Sequence, residues 1–548
     1  MKRSMAMLIA RHTARVLAAG GGMFILAGCH LPALKGPEPT TAAAVPADFG
    51  GAATADSSAR LRVEEFFSDP LLVNLIHEAV ANNLDLKILS QDIDIAGFEL
   101  LARRGAILPR VSVRATAGVD RASKFTREGA VDDTLTVDGR PLPNPLPDFL
   151  LGAEASWQVD IWRQLRNARD AAGLRVLATT DGRTFAVTRL VADIADNYYA
   201  LLALDQRLVT LDQIIATQEQ SLKVATSLRD AGRATELGVQ RFTAEVRRNR
   251  SEKLLVQQEV VERENRINFL AGRFPQPVER SATKIQDVTL PAVSAGVPAQ
   301  LLANRPDIRR AERELAAAGL DVQVARADFY PALDITGGLG FRAFHPRFLF
   351  QPETFVANAA GGLVAPHNNR AAIAAAYQTA NARQLQALYD YQRVILDAVN
   401  EVTTRLRAAE NYGKSIEVRK EQLQALETSV DVATKLFQNA RAEYSEVLFT
   451  TRDLLEARQQ LIETKRQQLQ AIVFAYQALG GGGTPPATTN PPSTPPGPPV
   501  PPAPPANPSA PPPGVPPRGG DAKPGEAGKD KPQPISLPPL PSPAAAGK

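Results

Sequence analysis

One stretch occurs twice in the chain, and each copy leads into a segment of alternating character. The copies run from Asp85 to Pro109 and from Asp307 to Pro331, so each places a proline 24 positions after an aspartate. Both have the pattern of a helix that ends at its proline, which lacks the backbone N–H that a helix needs. The segments that follow, 111–119 and 333–341, alternate in the manner of strands. A helix that feeds a strand twice at one internal length predicts an internally duplicated architecture.

Long amphipathic helices follow each strand pair. The second one has an apolar residue at every seventh position, namely Leu388, Ile395, Val402, Ala409, Ile416, Leu423, Val430 and Phe437. Such a repeat predicts helices packed along a narrow seam with left-handed supercoiling. Each long helix turns back into a return helix, at 230–235 and at 440–443. A helix of about 65 residues is about 100 Å long, which suits a protein that bridges a compartment.

These patterns divide the chain into successive units. Their predicted bounds are a signal peptide at 1–28, a lipidated tether at 29–60, a first repeat at 61–290 with a β-hairpin at 110–160 and a helical hairpin at 163–270, a second repeat at 291–480 with a β-hairpin at 333–364 and a helical hairpin at 369–479, and a Pro-rich tail at 481–548. The tail has too little apolar surface to fold and is expected to be disordered. A solvated spacer and a docking segment both fit it.

The first 28 residues predict export from the cytoplasm. Lys2 and Arg3 precede a mainly apolar run at 16–27, which is the pattern of a secretory signal. Leu26-Ala27-Gly28-Cys29 resembles a bacterial lipobox, which implies cleavage before Cys29 and attachment of lipid to it. His30 stands where inner-membrane retention would require Asp, so the expected destination is the outer membrane. The alternative is an ordinary signal peptide with an incidental cysteine.

Nothing in the sequence favours catalysis. The five histidines are scattered, and the chain contains no HExxH motif, no CxxC motif and no phosphate-binding glycine loop. No cluster of metal ligands is evident, so neither a metal nor a cofactor is expected beyond the lipid on Cys29. The net charge is only +4, which gives no support to a nucleic-acid partner.

Four amphipathic strands pose a closure problem. No segment after the signal has about 18 uninterrupted apolar residues, so any further membrane crossing must be made by strands. Strands in lipid must close into a barrel, and single-chain barrels begin at about eight strands. Several chains would therefore have to share one barrel. Two soluble β-hairpins are the alternative.

A resemblance to a known family rests on two segments. Residues 301–312, Leu-Leu-Ala-Asn-Arg-Pro-Asp-Ile-Arg-Arg-Ala-Glu, run on to Phe329-Tyr330-Pro331 and resemble the signature of TolC/OprM-type outer-membrane efflux proteins. The segment from Ser156 to Trp162 resembles the part of that family after its second strand. Cys29 favours the NodT-like lipoprotein branch.

The resemblance implies a mixed α/β membrane fold. Three chains would form a 12-stranded β-barrel, with four strands per chain, that continues into a long periplasmic α-helical barrel with a mixed belt midway. The homotrimer would be the exit duct of a tripartite efflux pump, together with a periplasmic adaptor and an inner-membrane pump of the RND type. It would conduct drugs or other small solutes passively across the outer membrane. The alternatives are a duct for protein secretion and a non-conducting periplasmic coiled-coil scaffold.

In the resembled family the closed end of the duct lies at the tips of the helical hairpins. The candidates for gating and for adaptor docking are Asp230, Arg233, Arg441, Glu443 and Glu446. A ring of three Glu446 carboxylates would narrow the pore and attract cations. The alternative is that these are merely solvated charges at turns.

The sequence departs from the family pattern at both strand-to-helix corners. Arg163 stands where the family commonly has Gly, and residues 365–370 lack the usual aromatic and Gly pair. The geometry of these corners is therefore expected to differ from the family pattern.

Overall fold

A computed structural model describes residues 31–36, 46, 49, 57–137, 139–232, 235–365, 369–439 and 441–483. The predicted signal peptide, Cys29, most of the tether, Arg233 and the tail from 484 onward lie outside the described residues.

Two helices, two strands and two helices occur in that order twice. The elements are α1 (Pro70–Asn82), α2 (Leu84–Ala106), β1 (Arg110–Asp120), β2 (Leu146–Val159), α3 (Gln164–Asp230) and α4 (Glu236–Leu270), then α5 (Ala299–Asn304), α6 (Pro306–Ala327), β3 (Ala332–Ala343), β4 (Phe355–Val364), α7 (Arg370–Gln438) and α8 (Tyr444–Ala478). Helix α1 begins with Pro70 in its first turn, and Asp69 Oδ1 accepts the N–H of Leu71 at 2.9 Å.

Shorter elements lie between these. They are a helix at Val63–Phe66, a helix at Arg127–Asp132, a strand pair formed by Thr136–Val137 and Arg140–Pro141, and 3-10 turns at Ser58–Arg60, Ile285–Asp287, Pro346–Phe348 and Pro352–Thr354. The polar connection between β1 and β2 thus carries local structure that its composition does not reveal.

The four long strands form one antiparallel sheet in the order β1-β2-β3-β4. Its central pair joins the two halves of the chain, with Phe149 opposite Ala343 and Val159 opposite Leu333. Strands β1 and β4 are the edges of this sheet. All four strands adjoin helices at one end and loops at the other, so the sheet extends away from the helices.

The register gives the sheet one apolar and one polar face. Because side chains alternate along a strand, opposed residues share a face. One face carries Val111, Val113, Val119, Phe149, Leu151, Trp157, Leu333, Ile335, Leu339, Phe341, Phe355 and Leu363. The other carries Ser112, Arg114, Thr116, Asp148, Glu154, Gln158, Asp334, Thr336, Arg342 and Asn358. Two ion pairs lie on the polar face, Arg114 with Glu154 at 3.0 Å and Arg342 with Asp148 at 2.8 Å.

Glycines allow the central strands to approach each other closely. Gly152 and Gly340 are opposite each other on the polar face. A Cβ atom on Gly340 would lie 2.6 Å from the Cα of Gly152, and one on Gly152 would lie 2.8 Å from the carbonyl oxygen of Leu339. A side chain at either position would therefore clash with the opposite strand, which glycine avoids.

Helices α3 and α7 are 67 and 69 residues long, or about 100 Å each. Each packs along its return helix, α3 with α4 and α7 with α8. The eight heptad positions of α7 follow the predicted seam, since Val402 and Ile416 are buried, the other six are half-buried and none is exposed. Within the described residues, none of the helices combines the length and apolar composition needed to cross a membrane.

The most extensive core lies midway along the helices. Phe66 stacks on Tyr476 of α8 with ring centroids 3.9 Å apart, and the hydroxyl of Tyr476 donates to the carbonyl of Leu61 at 2.6 Å. Burial raises the pKa of Tyr476 to about 12. The hydroxyl of Tyr198 in α3 donates to Asp69 at 2.5 Å. These contacts fix the segment before α1 between the two helical hairpins.

Asp205 of α3 forms an ion pair with the connector after α4. Its two carboxylate oxygens accept from Arg280 at 2.5 and 2.9 Å, and Arg280 also donates to Glu264 of α4 at 2.6 Å. This network holds the connector after α4 against the first helical hairpin.

The described part of the predicted tether packs on α7. The side-chain amide of Asn381 is buried and donates to the carbonyl of Lys35 at 3.0 Å. Phe49 lies in a small core with Ala398 and Val402 of the same helix. The described residues of this segment thus contact α7 at two places, near Asn381 and near Val402.

Candidate functional site at the helical tips

The first tip is the turn between α3 and α4. Helix α3 ends at Asp230, and the N–H of Ala231 bonds to the carbonyl of Ser227 at 3.1 Å. Gly232 then takes a φ of 70°, the left-handed conformation that commonly ends a helix and that glycine adopts without a steric penalty. The exposed Thr235 precedes α4, which begins at Glu236. Of the two tip residues predicted here, Asp230 is exposed and Arg233 lies outside the described residues.

An ion cluster crosses this turn. Arg229 donates to Asp230 Oδ1 at 2.6 Å and to Glu236 Oε2 at 2.9 Å, so one guanidinium joins the end of α3 to the start of α4. Its hydrogen bonds with Asp230 and Glu236 raise the pKa of Arg229. Gln240 donates to the other oxygen of Glu236 at 2.7 Å, and this bond together with Arg229 lowers the pKa of Glu236. Sequence reasoning missed Arg229 and Glu236. The only available signal was that Arg229 is followed by one acidic residue before the turn, Asp230, and by another after it, Glu236.

The second tip lies between α7 and α8. The N–H of Arg441 bonds to the carbonyl of Leu436 at 2.8 Å, and the N–H of Glu446 bonds to the carbonyl of Glu443 at 3.1 Å. Ser445 donates weakly to the Glu443 carboxylate at 3.3 Å. The side chains of Arg441, Glu443 and Glu446 are exposed. Among the described residues none of the three forms an ion pair, and none is bonded to Asp230.

Apolar side chains bring the two tips together instead. Ala225, Val239 and Phe242 of the first hairpin form a buried cluster, and Leu448 of α8 packs against it. Leu448, which lies near the start of α8 and two residues after Glu446, therefore packs α8 against the first helical hairpin. The side chains of Asp230, Arg441, Glu443 and Glu446 are exposed and remain available to other molecules.

The Arg-Pro-Asp motif of the second repeat is a buried anchor. The side chain of Arg305 is only 5% exposed and donates to both oxygens of Asp307, at 3.0 and 2.7 Å. It also donates to Glu401 of α7 at 2.9 Å and to the carbonyl of Ala478 at the end of α8, at 2.7 Å. Burial opposes its charge, but the bonds with Asp307 and Glu401 outweigh that effect and raise the pKa of Arg305. The motif thus ties the start of α6 to both helices of the second hairpin.

The first strand-to-helix corner is built without the glycine usual in the resembled family. Arg163 has a φ of 61° and is exposed; among the described residues it alone, apart from glycines, has a positive φ. Asp160 accepts the N–H groups of Leu165 and Arg166, each at 3.0 Å, and so satisfies the first turn of α3.

The same corner brings together the two segments that carry the family resemblance. The indole N–H of Trp162 donates to the carbonyl of Pro331 at 2.8 Å, and its ring stacks on Tyr330 with centroids 4.6 Å apart. Gln164 donates to Asp328 at 2.5 Å. The junction between β2 and α3 in the first repeat therefore contacts the junction between α6 and β3 in the second repeat, where the sheet meets the helices.

Within the described ranges, no group of three or more His, Cys, Asp or Glu side chains is arranged to hold a metal ion.

Comparison with known proteins identifies the family. A model of the outer membrane efflux protein family matches residues 75–273 and 297–481, which is more than half of the chain. The chain belongs to the outer membrane efflux protein family. The matched ranges include all four long strands and both helical hairpins.

Individual members of the family resemble this chain over most of its length. The pyoverdine export outer membrane protein OpmQ of Pseudomonas putida is 30% identical over 418 residues, which cover 76% of this chain and 87% of the relative. The solvent efflux pump outer membrane protein SrpC of Pseudomonas putida is 27% identical over 438 residues, covering 77% and 87%. The solved Campylobacter jejuni CmeC outer membrane channel has a TM-score of 0.72 at 17% identity and covers 83% of this chain and 95% of that one. At that identity the likeness establishes the fold.

These matches confirm the predicted family and the predicted location in the outer membrane. This outer membrane efflux protein has the mostly helical fold of solved outer-membrane channels, and its general role is efflux across that membrane.

Proposed function

We propose that this efflux protein is one third of a homotrimeric exit duct that passively conducts small solutes to the cell exterior. The observation that carries the proposal is the sheet, which has an apolar face, a polar face and two edge strands. A sheet of this kind is stable in lipid only when its edges are paired. The edges β1 and β4 are antiparallel to each other, so β4 of one copy can pair with β1 of the next.

Three copies would close a barrel of 12 strands. An even number of antiparallel strands, with apolar residues outward and polar residues inward, is the rule for barrels of the outer membrane. With the polar face inside, Gly152 and Gly340 would leave room for the close approach of the two central strands. The internal duplication predicted from the sequence fits the twofold order of elements, in which each half supplies two strands to the barrel.

The apolar face has the height that a membrane requires. Phe149 and Trp157 lie near opposite ends of this face in β2. The strand between them is about 27 Å long at 3.4 Å per residue. With the usual strand tilt this becomes about 20 Å across the membrane, close to the apolar band of about 25 Å in such barrels.

The helices would extend the duct into the periplasm. Two hairpins per chain give twelve helices in a trimer, enough to enclose an α-helical barrel about 100 Å long. The mixed belt would correspond to the core around Phe66 and Tyr476 and to the connectors before α1 and α5.

Lipid on Cys29 is consistent with the path of the tether. The carbonyl of Lys35 is held by Asn381, about three helical turns, or about 16 Å, from the sheet end of α7. The residues from Cys29 to Lys35 can span about 20 Å when extended. A lipidated Cys29 can therefore reach the periplasmic leaflet without strain.

The partners we propose are a periplasmic adaptor and an inner-membrane pump of the RND type. A passive duct needs a pump as its energy source, and the adaptor would dock on the exposed charged tips. The relatives export pyoverdine and solvents, which favours small solutes over proteins as cargo. Drugs belong to the same size class.

The tips would also close the duct at rest. Asp230, Arg441, Glu443 and Glu446 are exposed near the contact of Leu448 with the first hairpin. Three copies of Glu446 would place like charges around the axis, and docking of the adaptor would rearrange them. Gating then requires the apolar contact of Leu448 to slide or separate.

Single-channel conductance in a planar bilayer, with the oligomer mass measured on the same preparation, tests the proposal. We expect a trimer that gives small, cation-favouring current steps. A monomer or dimer that never conducts would remove the shared barrel and leave a lipid-anchored scaffold.

Deletion of the gene should sensitise cells to small toxic compounds. Loss of a secreted protein instead would favour a secretion duct.

A further inference from the structure

The loop between β3 and β4 carries an aromatic cluster that the duct does not need. Phe341 and Phe355 end the apolar face, with their rings 5.9 Å apart, and Phe350 of the loop lies 6.1 Å from Phe341. Phe350 is 71% exposed and Phe355 is 53% exposed. Phe344 packs on Phe348 at 5.6 Å in the same loop. A loop that met only water would gain nothing from exposing such rings.

A cation lies beside the second ring pair of this loop. The guanidinium of Arg347 lies 4.3 Å from the ring centroid of Phe348. The side chain is exposed, and among the described residues it has no acidic partner. Aromatic rings with an adjoining cation match the boundary of a bilayer, where rings lie at the level of the headgroups and cations meet phosphate.

The cluster is continuous with the face that would meet lipid. Phe341 and Phe355 oppose each other in the register and share the face that carries Leu339 and Leu151. The loop lies at the sheet end away from the helices, and Phe350 extends this apolar surface beyond the last pair of strand residues.

We propose that the segment 344–354 is a membrane anchor that inserts Phe350 into the outer leaflet and sets Arg347 against lipid phosphates. The occupant of this surface is a phosphate-bearing membrane lipid. The inference rests on the proposed barrel, because only a sheet in lipid brings this loop to the membrane boundary. Three copies per trimer would fix the depth and tilt of the barrel.

Site-directed spin labelling tests it. The variants F350C, L339C and T116C are each labelled with a nitroxide and reconstituted into vesicles of phosphatidylcholine and phosphatidylglycerol. Accessibility to oxygen and to a water-soluble nickel chelate then gives the depth of each label. Leu339 lies in the middle of the apolar face and Thr116 lies on the polar face. The parent protein, treated in parallel, reports any labelling of Cys29.

The three labels separate the possible results. We expect the label at 350 to be several-fold less accessible to the nickel chelate than the label at 116, and to lie at a shallower depth than the label at 339. A label at 350 as water-accessible as that at 116, with 339 in lipid, would overturn the anchor and leave the barrel intact. Water access at both 350 and 339 would overturn the barrel, and the anchor with it. Phe350 is mostly exposed, so F350C is expected to fold.

Discussion

The anchor at Arg305 gives the clearest test of how the second repeat is held together. In Arg305→Met the Asp307 and Glu401 carboxylates and the Ala478 carbonyl all lose their shared donor. Removing one partner of a buried ion pair costs about 3–5 kcal/mol. Asp307 and Glu401 are 19% and 32% exposed, so water can partly replace the guanidinium. We therefore expect the lower end of that range, about 3 kcal/mol per chain.

A matched control lies on the same helix as Glu401. Arg393 in α7 pairs with Asp390 at 3.0 Å, but both side chains are more than half exposed. Such surface pairs contribute about 0–1 kcal/mol, so Arg393→Met removes the same chemical group with little effect. Arg305→Lys keeps the charge but cannot make the forked contact with Asp307, so its cost should fall between the two.

Thermal unfolding of the purified oligomer, followed by intrinsic fluorescence at one heating rate, measures the difference. A loss of about 3 kcal/mol should lower the melting temperature by several °C, since about 2–4 °C per kcal/mol is typical of chains of 150–250 residues and larger chains shift less. If R305M melts together with R393M, the contacts of Arg305 do not anchor α6 to the second hairpin, and the reasoning from burial fails.

Three further predictions test other parts of the structure. Arg163→Gly should raise the melting temperature, because relief of the positive φ is worth about 1–2 kcal/mol while the added freedom of the unfolded chain takes back about 0.5–1 kcal/mol; Arg163→Ala should bring no such gain. Burial raises the pKa of the Asp196 carboxyl above 3.8, although the charges of Arg466 and Arg263 oppose this effect. The protonated form of Asp196 therefore stabilises the fold, and this contribution is lost as the pH rises through the folded-state pKa. Asp196→Asn should therefore be more stable than the parent at neutral pH, by on the order of 1 kcal/mol, with a gain that shrinks toward pH 3.8; a gain equal at every pH would point to another cause. The double variant R441Q/E446Q should raise the resting conductance several-fold, and if the channel stays as closed as the parent these residues are solvated turn charges.

Periodic features of this chain were predictable from its sequence. The heptad positions of α7 and the alternation of the four strands are repeated many times, and burying a narrow seam or one face of a sheet leaves a single consistent arrangement. The capping role of Asp69 before Pro70 was equally local.

Contacts between distant residues were not predictable. Arg305 stood out as part of a motif, but its bonds to Glu401 and Ala478 span 96 and 173 positions and depend on how three helices pack. Arg229 was overlooked because its bridge to Glu236 exists only once the turn at Gly232 has set the spacing of the two helix ends. Arg163 was recognised as a departure, yet only the backbone reveals that it keeps the left-handed conformation of the missing glycine.

The pairing of β2 with β3 also dictates an order of events during biogenesis. Asp148 and Arg342, which bridge these strands, are 194 positions apart, so β2 keeps an open edge until both helices of the first hairpin and all of α6 have been exported. During that interval the β-hairpin of β1 and β2 exposes one apolar face to water, where other nascent copies can meet it. Non-local pairing of this kind is slow, and open edges invite wrong partners. Maturation of the protein should therefore depend on periplasmic chaperones. These would shield the β-hairpin of β1 and β2 until β3 has been exported and can pair with β2.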